Sequence, residues 1–265
     1  MTETTAQLLE HKVAVIYGAA GAVGGSVART FAREGARVFL VGRTLATIEQ
    51  VAAEIRTAGG LAEVAVVDAL DPDAVEAHLD ALVAATGRID ISMNATSGDV
   101  LQGTPLREMT VDDFTLPALT ALRSNFCTGT AAARRMTAAG SGVIVTMSTS
   151  ASGLSGRDRR FHATGGFGAA CAAVEEFIRS LAGEVGPHGV RVVCLRPDAL
   201  PETWGSRDEE PVMAAHRFMT DGTAMGRMPT LQEVADAAAF VASDRASAMT
   251  GTIVNLTCGS IMNAN

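Results

Sequence analysis

Short runs of apolar, largely β-branched residues alternate along this chain with longer segments of helical character. The first run covers residues 13–17 and is followed by an alanine- and arginine-rich segment over 23–33. Apolar runs of about four to eight residues are typical of strands that are buried on both faces. Strands that alternate with helices predict a parallel sheet, because each helix returns the chain to the edge at which the next strand starts.

The alternation continues along the chain and predicts one domain over residues 1–265. Further strands are expected at residues 37–41, 62–67, 89–93, 142–147, 190–195 and 252–256, and further helices at 45–58, 74–85, 120–136 and 167–185. This pattern indicates an α/β fold built on a single doubly wound, Rossmann-type parallel sheet with helices on both faces. Residues 197–228 have weak periodicity, so we expect an irregular lid over the substrate there.

Charge and composition restrict the classes of partner. The formal net charge is -8 and no run of basic residues occurs, which argues against nucleic acid and anionic membrane surfaces as partners. No stretch approaches the roughly 20 apolar residues that span a bilayer, and residues 1–12 are too polar for a signal peptide. The four cysteines follow no zinc-binding or disulfide spacing. We therefore expect a cytoplasmic protein without a metal site that acts on a small molecule.

A glycine-rich segment connects the first predicted strand to the first predicted helix. It contains Gly18-x-x-Gly21-x-x-Gly24, with Val23 beside the last glycine. Glycines at such a junction allow a tight turn and let backbone N–H groups approach a pyrophosphate, which the helix N-terminus favours electrostatically. The segment predicts a dinucleotide site. A glycine-rich turn that binds nothing is the alternative.

The residues after the second and third predicted strands indicate which dinucleotide is bound. An acidic residue after the second strand would hold a ribose 2′-hydroxyl, but this position is Gly42, followed by Arg43 and Thr44. Arg43 and Thr44 suit a 2′-phosphate, so NADP(H) is favoured over NAD(H); a solvated arginine is the alternative. Asp68, followed by Ala69, is placed to contact the adenine ring, unless it caps the next turn.

Several motifs along nearly the whole chain resemble the short-chain dehydrogenase/reductase family. They are the glycine loop, Asp68, Met93-Asn94-Ala95-Thr96, Asn125, Ser148-Thr149-Ser150, the segments 171–184 and 189–197, and Thr250-Gly251. The resemblance implies oxidoreductase activity and a nicotinamide cofactor to which Asn94, Ala95 and Pro197 contribute. It also implies a homo-oligomer, a dimer or tetramer, that packs through the helices at 120–136 and 167–185. Such alanine-rich helices also pack closely within one subunit.

The same resemblance implies a catalytic mechanism whose key residues this chain lacks. Reductases of the family use an Asn–Ser–Tyr–Lys tetrad, in which the tyrosine exchanges a proton with the substrate oxygen and the lysine lowers the tyrosine pKa. Asn125 matches the asparagine, and Thr149, or its neighbour Ser148, matches the serine. The tyrosine position falls on Phe167 and the lysine position on Cys171. Phenylalanine has no proton to donate, and a thiol cannot replace an ammonium group.

The chain contains no other residues that could replace this pair by a shift in position. Its one tyrosine, Tyr17, and its one lysine, Lys12, both lie at the first predicted strand. The standard proton transfer of the family is therefore excluded by composition.

Four groups near the predicted site offer other chemistry. His162, in a loop about five residues longer than usual, could supply a proton near neutral pH, or have no role. Cys171 could form a thiolate, or simply fill the space of the lysine. The hydroxyls of residues 148–150 could hold a substrate oxygen, or merely end a strand. The arginines at 157–160 could bind an anionic group, or form a solvated patch with Asp158.

Three functions are compatible with these residues. The first is an atypical NADP(H)-dependent oxidoreductase that reduces an activated alkene or a preformed iminium, substrates that need no strong acid. The second is an NADP(H)-binding protein with a non-redox activity, such as a cyclase, dehydratase or isomerase. The third is a catalytically silent subunit or nucleotide-responsive module. We rank the oxidoreductase first because the asparagine and the hydroxyl group of the tetrad are retained.

Overall fold

A seven-stranded parallel sheet lies at the centre of the computed structural model, which describes residues 7–98, 101–204 and 209–262. The strand order is β3-β2-β1-β4-β5-β6-β7, so the chain winds in one direction from β1 and then in the other from β4. This order confirms the doubly wound prediction. The strands are β1 (Val13–Tyr17), β2 (Arg37–Gly42), β3 (Leu61–Val66), β4 (Ile91–Asn94), β5 (Gly142–Met147), β6 (Val190–Pro197) and β7 (Thr252–Leu256).

Helices cover both faces of the sheet. They are α1 (Ala22–Arg33), α2 (Leu45–Thr57), α3 (Pro72–Thr86), α4 (Val111–Ala139), α5 (Gly156–Phe161), α6 (Phe167–Val185), α7 (Glu210–Asp221) and α8 (Leu231–Ala242). Helices α1, α2 and α8 pack on one face, and α3, α4 and α6 pack on the other. Strand β1 serves both cores, because alternate side chains of a strand point to opposite faces. Ile16 joins the first core and Val15 joins the second.

Most predicted segments differ from the structure by one or two residues at their ends, and two differ by more. The helix expected at 120–136 begins at Val111 and ends at Ala139, and it continues through Pro117. The segment 197–228 was expected to be irregular, but it contains the twelve-residue helix α7. This helix has no fully buried side chain among its residues. Its apolar residues Val212, Ala215, Phe218 and Met219 nevertheless recur every three or four residues, so the sequence did carry a helical signal here.

None of the helices in the described ranges is both long enough and apolar enough to span a membrane.

Candidate active site

A cavity of about 1140 Å³ opens at the carboxyl ends of the central strands. The strand order reverses between β1 and β4 at this edge, which is where open α/β sheets bind their ligands. The cavity is larger than the roughly 300–1,000 Å³ of ordinary small-molecule sites. One group of lining residues follows β1, β2 and β3, and another comes from β5, β6, α5, α6 and α7. The cavity can therefore hold a dinucleotide together with a small substrate.

The glycine-rich loop between β1 and α1 is closed so tightly that side chains are excluded from it. Gly18 has a φ of +75°, and a Cβ atom on it would lie 2.6 Å from the Ala95 carbonyl oxygen. A Cβ atom on Gly24 would lie 2.2 Å from the Gly18 carbonyl oxygen. The N-cap of α1, Gly21, supplies no side-chain acceptor, and the first turn of α1 carries no acidic residue. The loop thus leaves the positive end of the helix dipole open to a phosphate.

The residues after β2 and β3 line the same cavity. Arg43 and Thr44 are exposed there, and Asp68 lies opposite them in the lining. The carboxylate of Asp68 accepts a hydrogen bond from the backbone N–H of Leu70, at 2.9 Å. The backbone N–H of Asp71 also donates to the Asp68 carbonyl oxygen at 3.0 Å, so Asp68 caps the turn that follows β3, as the alternative held, while Asp71 caps helix α3. The cavity is therefore lined after β2 by a basic and a hydroxyl side chain, as a 2′-phosphate requires.

Most of the predicted cofactor residues meet at the cavity, but two lie behind its wall. Gly24, in the first turn of α1, packs against the Gly18 carbonyl group. Asn94 is buried, and its Nδ2 atom donates to the Thr128 hydroxyl on α4 at 3.0 Å. Asn94 therefore joins β4 to α4 and does not itself line the cavity. The predicted cofactor residues that line it are Gly18, Gly21, Val23, Arg43, Thr44, Asp68, Ala69, Ala95 and Pro197.

All six predicted catalytic residues line the cavity: Asn125, Ser148, Thr149, His162, Phe167 and Cys171. The Cys171 sulfur lies 3.4 Å from the Thr149 hydroxyl oxygen. Burial raises the pKa of the Cys171 thiol, and this effect exceeds the opposing hydrogen bonds from Thr149. The raised pKa of Cys171 disfavours a thiolate and favours the alternative in which the thiol fills the space of the lysine.

The tetrad asparagine keeps an unused acceptor. Asn125 is only 6% exposed, and its Nδ2 atom donates to the Ala121 carbonyl oxygen at 2.9 Å. Its Oδ1 atom is buried and has no hydrogen-bond partner. Because a buried unpaired carbonyl is costly, Oδ1 calls for a donor supplied by a bound molecule or by water.

Two of the three hydroxyls at the end of β5 are already committed to carboxylates. The Ser148 hydroxyl donates to Glu175 Oε1 at 2.8 Å, and the Ser150 hydroxyl donates to Asp198 Oδ1 at 2.7 Å. Only Thr149 of the three keeps its hydroxyl near the reaction centre, beside Cys171. Residues 148–150 together thus offer a substrate one hydroxyl donor, that of Thr149, which is fewer than the sequence suggested.

A buried ion pair behind these hydroxyls was missed by the sequence analysis. Arg196 on β6 donates through Nε to Glu175 Oε1 on α6 at 2.8 Å, and Ser152 also donates to that oxygen, at 2.8 Å. Burial alone would raise the pKa of Glu175, but the hydrogen bonds from Arg196, Ser152 and Ser148 outweigh it and hold the pKa below its ordinary value. Helical spacing could have indicated that Glu175 lies near the site, because Glu175 follows Cys171 by one turn on the same face of α6.

The long loop before α6 forms helix α5, and its arginines do not line the cavity. Arg157 lies 4.1 Å from the ring centroid of Phe218, and Arg159 donates through Nε to the Leu154 carbonyl oxygen at 3.1 Å. Asp158 and His162 do line the cavity. The hypothesis that the arginines at 157–160 hold an anionic substrate group is therefore not supported, because these side chains cover aromatic and backbone groups instead.

His162 has a polar partner at the mouth of the cavity. Its Nε2 atom lies 2.7 Å from Gln102 Oε1. An amide oxygen only accepts hydrogen bonds, so this ring nitrogen carries a hydrogen.

An aromatic contact joins α5 to α7, and a second lies within the segment 197–228. The rings of Phe161 and Phe218 stack at 3.7 Å, and Trp204 meets His216 edge-on at 6.0 Å. Trp204, Phe218 and Met219 line the cavity. The substrate end of the cavity is therefore largely apolar.

Across residues 7–98, 101–204 and 209–262, no group of three or more His, Cys, Asp or Glu side chains is arranged to hold a metal ion.

Comparison with known proteins gives consistent likenesses over almost the whole chain. The family model described as enoyl-(acyl carrier protein) reductase matches residues 18–260. A peroxisomal 2,4-dienoyl-CoA reductase from Rattus norvegicus is 30% identical over 96% of this chain and 85% of its own. A cis-4-hydroxycyclohexanecarboxylate dehydrogenase from Sinomonas cyclohexanicum is 34% identical over 92% of this chain and 94% of its own.

Solved structures give the same result. A short-chain type dehydrogenase/reductase from Mycobacterium marinum superposes with a TM-score of 0.84 at 28% identity, over 97% of this chain and 98% of its own. The likeness thus covers the sheet, the glycine loop and the residues around the cavity. This chain belongs to the short-chain dehydrogenase/reductase family, whose members are oxidoreductases that bind a nicotinamide cofactor.

Proposed function

We propose that this protein is an NADP(H)-dependent oxidoreductase that acts on a small molecule without the tyrosine–lysine pair of its family. The observation that carries the proposal is the combination of residues suited to a dinucleotide with a reaction centre that has no acid at the tyrosine position. The first is supported by the glycine loop and Arg43, and the second by Phe167 and the neutral thiol of Cys171. Such a site suits hydride transfer to a substrate that needs no strong acid.

Different residues of the chain would hold different parts of NADP(H). The first N–H groups of α1 would hold the pyrophosphate, and Arg43 with Thr44 would hold the 2′-phosphate. Asp68 and Ala69 would border the adenine, and Ala95 and Pro197 would border the rest of the cofactor. When bound, the nicotinamide would supply or accept the hydride.

The reaction centre restricts which bond is reduced. A ketone oxygen gains negative charge during reduction and needs a proton donor beside it. Thr149 is a weak acid, and Phe167 offers no proton at all. A C=N⁺ bond accepts a hydride without any proton. A polarised C=C bond accepts a hydride to give a stabilised carbanion, which water or His162 would protonate at carbon, so these are the substrate types we propose. The family model described as enoyl-(acyl carrier protein) reductase and the relative named 2,4-dienoyl-CoA reductase both carry the name of a C=C reduction, which supports the first type.

Quaternary structure forms part of the same proposal. Helix α4 exposes apolar side chains, with Leu119 65% exposed and Phe126 59% exposed. The Phe126 ring lies 6.3 Å from that of Phe177 on α6, so the two helices share an apolar outer surface. We therefore propose a cytoplasmic homo-oligomer, a dimer or tetramer, that buries this surface between copies of the chain.

A second candidate function is a nucleotide-responsive or non-redox protein that has lost hydride transfer. The absence of both Tyr and Lys from the site favours it. It predicts cofactor binding without any oxidation of NADPH by alkenes or iminium ions, whereas the first proposal predicts oxidation.

Cofactor binding is the test of the first proposal. Fluorescence titration should give tight binding of NADPH and weaker binding of NADH. Arg43→Ala should weaken NADPH binding by about tenfold or more and leave NADH binding unchanged, because only NADPH carries the 2′-phosphate. Arg37→Ala, at the other end of the same strand, is the matched control and should change neither. Equal affinity of the wild type for both cofactors would contradict the NADP preference, and no binding of either would overturn the oxidoreductase proposal.

A further inference from the structure

A carboxylate lies in the wall of the cavity where β5 and β6 end. Asp198 follows β6 directly, lines the cavity and is only 4% exposed. Its Oδ1 atom accepts hydrogen bonds from the Ser150 hydroxyl at 2.7 Å and from the Ala199 backbone N–H at 2.8 Å. Its Oδ2 atom accepts a hydrogen bond from the Ser260 hydroxyl. These donors suit an ionised carboxylate, which accepts through both of its oxygens.

The groups that bind Asp198 do not balance its negative charge, because hydroxyls and a backbone amide are neutral. The neighbouring carboxylates differ in this respect. Glu175 pairs with the Arg196 guanidinium behind the wall, and Asp158 on α5 has the Arg157 guanidinium at 3.7 Å. Within the part of the lining that the structure describes, Asp198 is therefore the carboxylate near the reaction centre that keeps its charge unbalanced.

The sheet topology relates this carboxylate to the proposed cofactor. The residues proposed for the 2′-phosphate and the adenine follow β2 and β3, and the glycine loop follows β1, where the strand order reverses. A dinucleotide whose pyrophosphate lies at this reversal extends its other half over the strands on the opposite side, β4, β5 and β6. Asp198 and Ser150 follow β6 and β5, and Ser150 adjoins Thr149 of the reaction centre. The nicotinamide half would therefore lie on the side of the sheet that carries Asp198.

A fixed negative charge on this side distinguishes the two redox states of the cofactor. The nicotinamide ring is cationic when oxidised and neutral when reduced, so a nearby carboxylate stabilises the oxidised ring and not the reduced one. This attraction acts through space, so it does not require the carboxylate to contact the ring. Burial of Asp198 strengthens the attraction, because little water screens the charge.

From this geometry we infer that Asp198 makes the protein bind NADP⁺ more tightly relative to NADPH, and so makes bound NADPH a stronger hydride donor. The inference rests on the proposed NADP(H)-dependent function and names a further residue that favours substrate reduction. The hydride leaves with both electrons of its C–H bond, and the positive charge that remains on the ring is the one that Asp198 stabilises. A carboxylate on the cofactor side thus assists the transfer at a site where residue 167 has no proton to offer.

The test compares the binding of the two redox states to the whole protein. NADPH binding is measured by fluorescence titration and NADP⁺ binding by calorimetry. Asp198→Asn should weaken NADP⁺ binding by about tenfold relative to NADPH binding. A tenfold change in this ratio raises the reduction potential of the bound two-electron couple by about 30 mV. Asp198→Ser, a second neutral variant whose hydroxyl can pair with Ser150 or Ser260, should shift the ratio in the same direction.

Two controls separate the charge of Asp198 from its structural role. Ser150→Ala removes one hydrogen bond from Asp198 but keeps the charge. Asp221→Asn removes the same formal charge at the exposed end of α7, outside the lining. Both variants should leave the ratio of NADP⁺ to NADPH affinity unchanged.

The possible outcomes distinguish the inference from the proposed function. If the neutral variants of Asp198 weaken both nucleotides equally, or neither, the inference is overturned, and the proposed function stands because both nucleotides bind the wild type. An equal shift of the ratio in Asp221→Asn would also overturn it, since net charge would then be the cause. If neither nucleotide binds the wild type, the proposed function fails, and the inference fails with it.

Discussion

Phe167 and Cys171 lie one helical turn apart on α6, at the positions that we propose to limit the chemistry of the site. Phenylalanine carries no ionisable group, and the buried thiol is neutral at neutral pH because burial raises its pKa. The surroundings of a working pair are otherwise retained, since Thr149 lies 3.4 Å from the Cys171 sulfur and Asn125 lines the same cavity. An acid can therefore be restored by substitution of two residues.

The double substitution Phe167→Tyr with Cys171→Lys should create reduction of ketones and aldehydes. General acid catalysis contributes about 10²–10⁴-fold, so the gain should be clear above the wild-type background. NADPH oxidation with a panel of carbonyl compounds measures it. Phe167→Tyr alone is the control and should gain less, because no lysine lowers the tyrosine pKa. A double variant that binds NADPH but reduces no carbonyl would show that the pocket differs beyond this pair.

Gly24 is a second residue at which a small substitution, the addition of a Cβ atom, should have a large effect. Gly24→Ala places Cβ 2.2 Å from the Gly18 carbonyl oxygen, so the loop must move. We expect a loss of about 1–3 kcal/mol in the free energy of unfolding and strongly weakened NADPH binding. Thermal unfolding and NADPH titration measure the two effects.

Gly183→Ala is the matched control for this change. Gly183 lies inside α6, and a Cβ atom there meets nothing within 4 Å. Alanine should stabilise the helix by roughly 0.5–1 kcal/mol and leave cofactor binding unchanged. Similar losses in both variants would refute the steric argument for Gly24.

At the scale of elements, the ion pair between Glu175 and Arg196 joins α6 to β6 directly behind the reaction centre. Both side chains are only 6% exposed. Removal of one partner from a buried pair leaves an uncompensated charge, whereas removal of both is far less costly. The pair also holds Ser148 and Ser152, and so fixes the turn that carries Thr149.

Glu175→Gln should therefore lower the free energy of unfolding by about 3–5 kcal/mol, and the added change Arg196→Met should recover most of the loss. Glu176→Gln, at the exposed neighbouring pair with Arg179, is the control and should change little. Urea unfolding of the four proteins measures these differences. A large loss in the double variant would mean that packing, not charge, is the cause.

Acid should reduce the difference in unfolding free energy between the wild type and Glu175→Gln. The folded pKa of Glu175 lies below its ordinary value, so its contribution is complete above that ordinary value, about 4.5, and is lost as the pH falls through the lowered folded pKa. The gap in unfolding free energy between the wild type and Glu175→Gln should be constant above about pH 5 and shrink in stronger acid. A gap that widens in acid would contradict the assigned direction.

At the scale of the whole molecule, the exposed apolar surface of α4 is the main feature that the fold leaves uncovered. Phe126→Asp should convert the oligomer to smaller species, because a carboxylate would be buried without a partner at the proposed contact. Gel filtration with light scattering measures the mass. Leu61→Asp, on edge strand β3 and 65% exposed, is the control and should leave the mass unchanged. A wild-type monomer, or an unchanged Phe126→Asp oligomer, would refute the proposed contact.

Local features of the sequence predicted most of the scaffold. The strands at 13–17, 142–147 and 252–256 were predicted with their observed ends, because β-branched runs between turn residues are a local signal. Helix α7 was missed although its apolar residues recur at helical spacing, because Pro201, Pro211 and Gly222 around it indicated an irregular segment. The arginines at 157–160 were visible in the sequence, but their direction was not, since it depends on Phe218 and Leu154.

The sequence by itself determined the parallel fold, the position of the glycine loop and the loss of the tyrosine and lysine, because each depends on the identity of residues close together in the chain. Only the tertiary structure decided which groups are free to act. The hydroxyls of Ser148 and Ser150 are not free because their partners, Glu175 and Asp198, come from distant segments of the chain. Hydrogen bonding and burial depend on neighbours in space, and these are brought together only when the chain has folded.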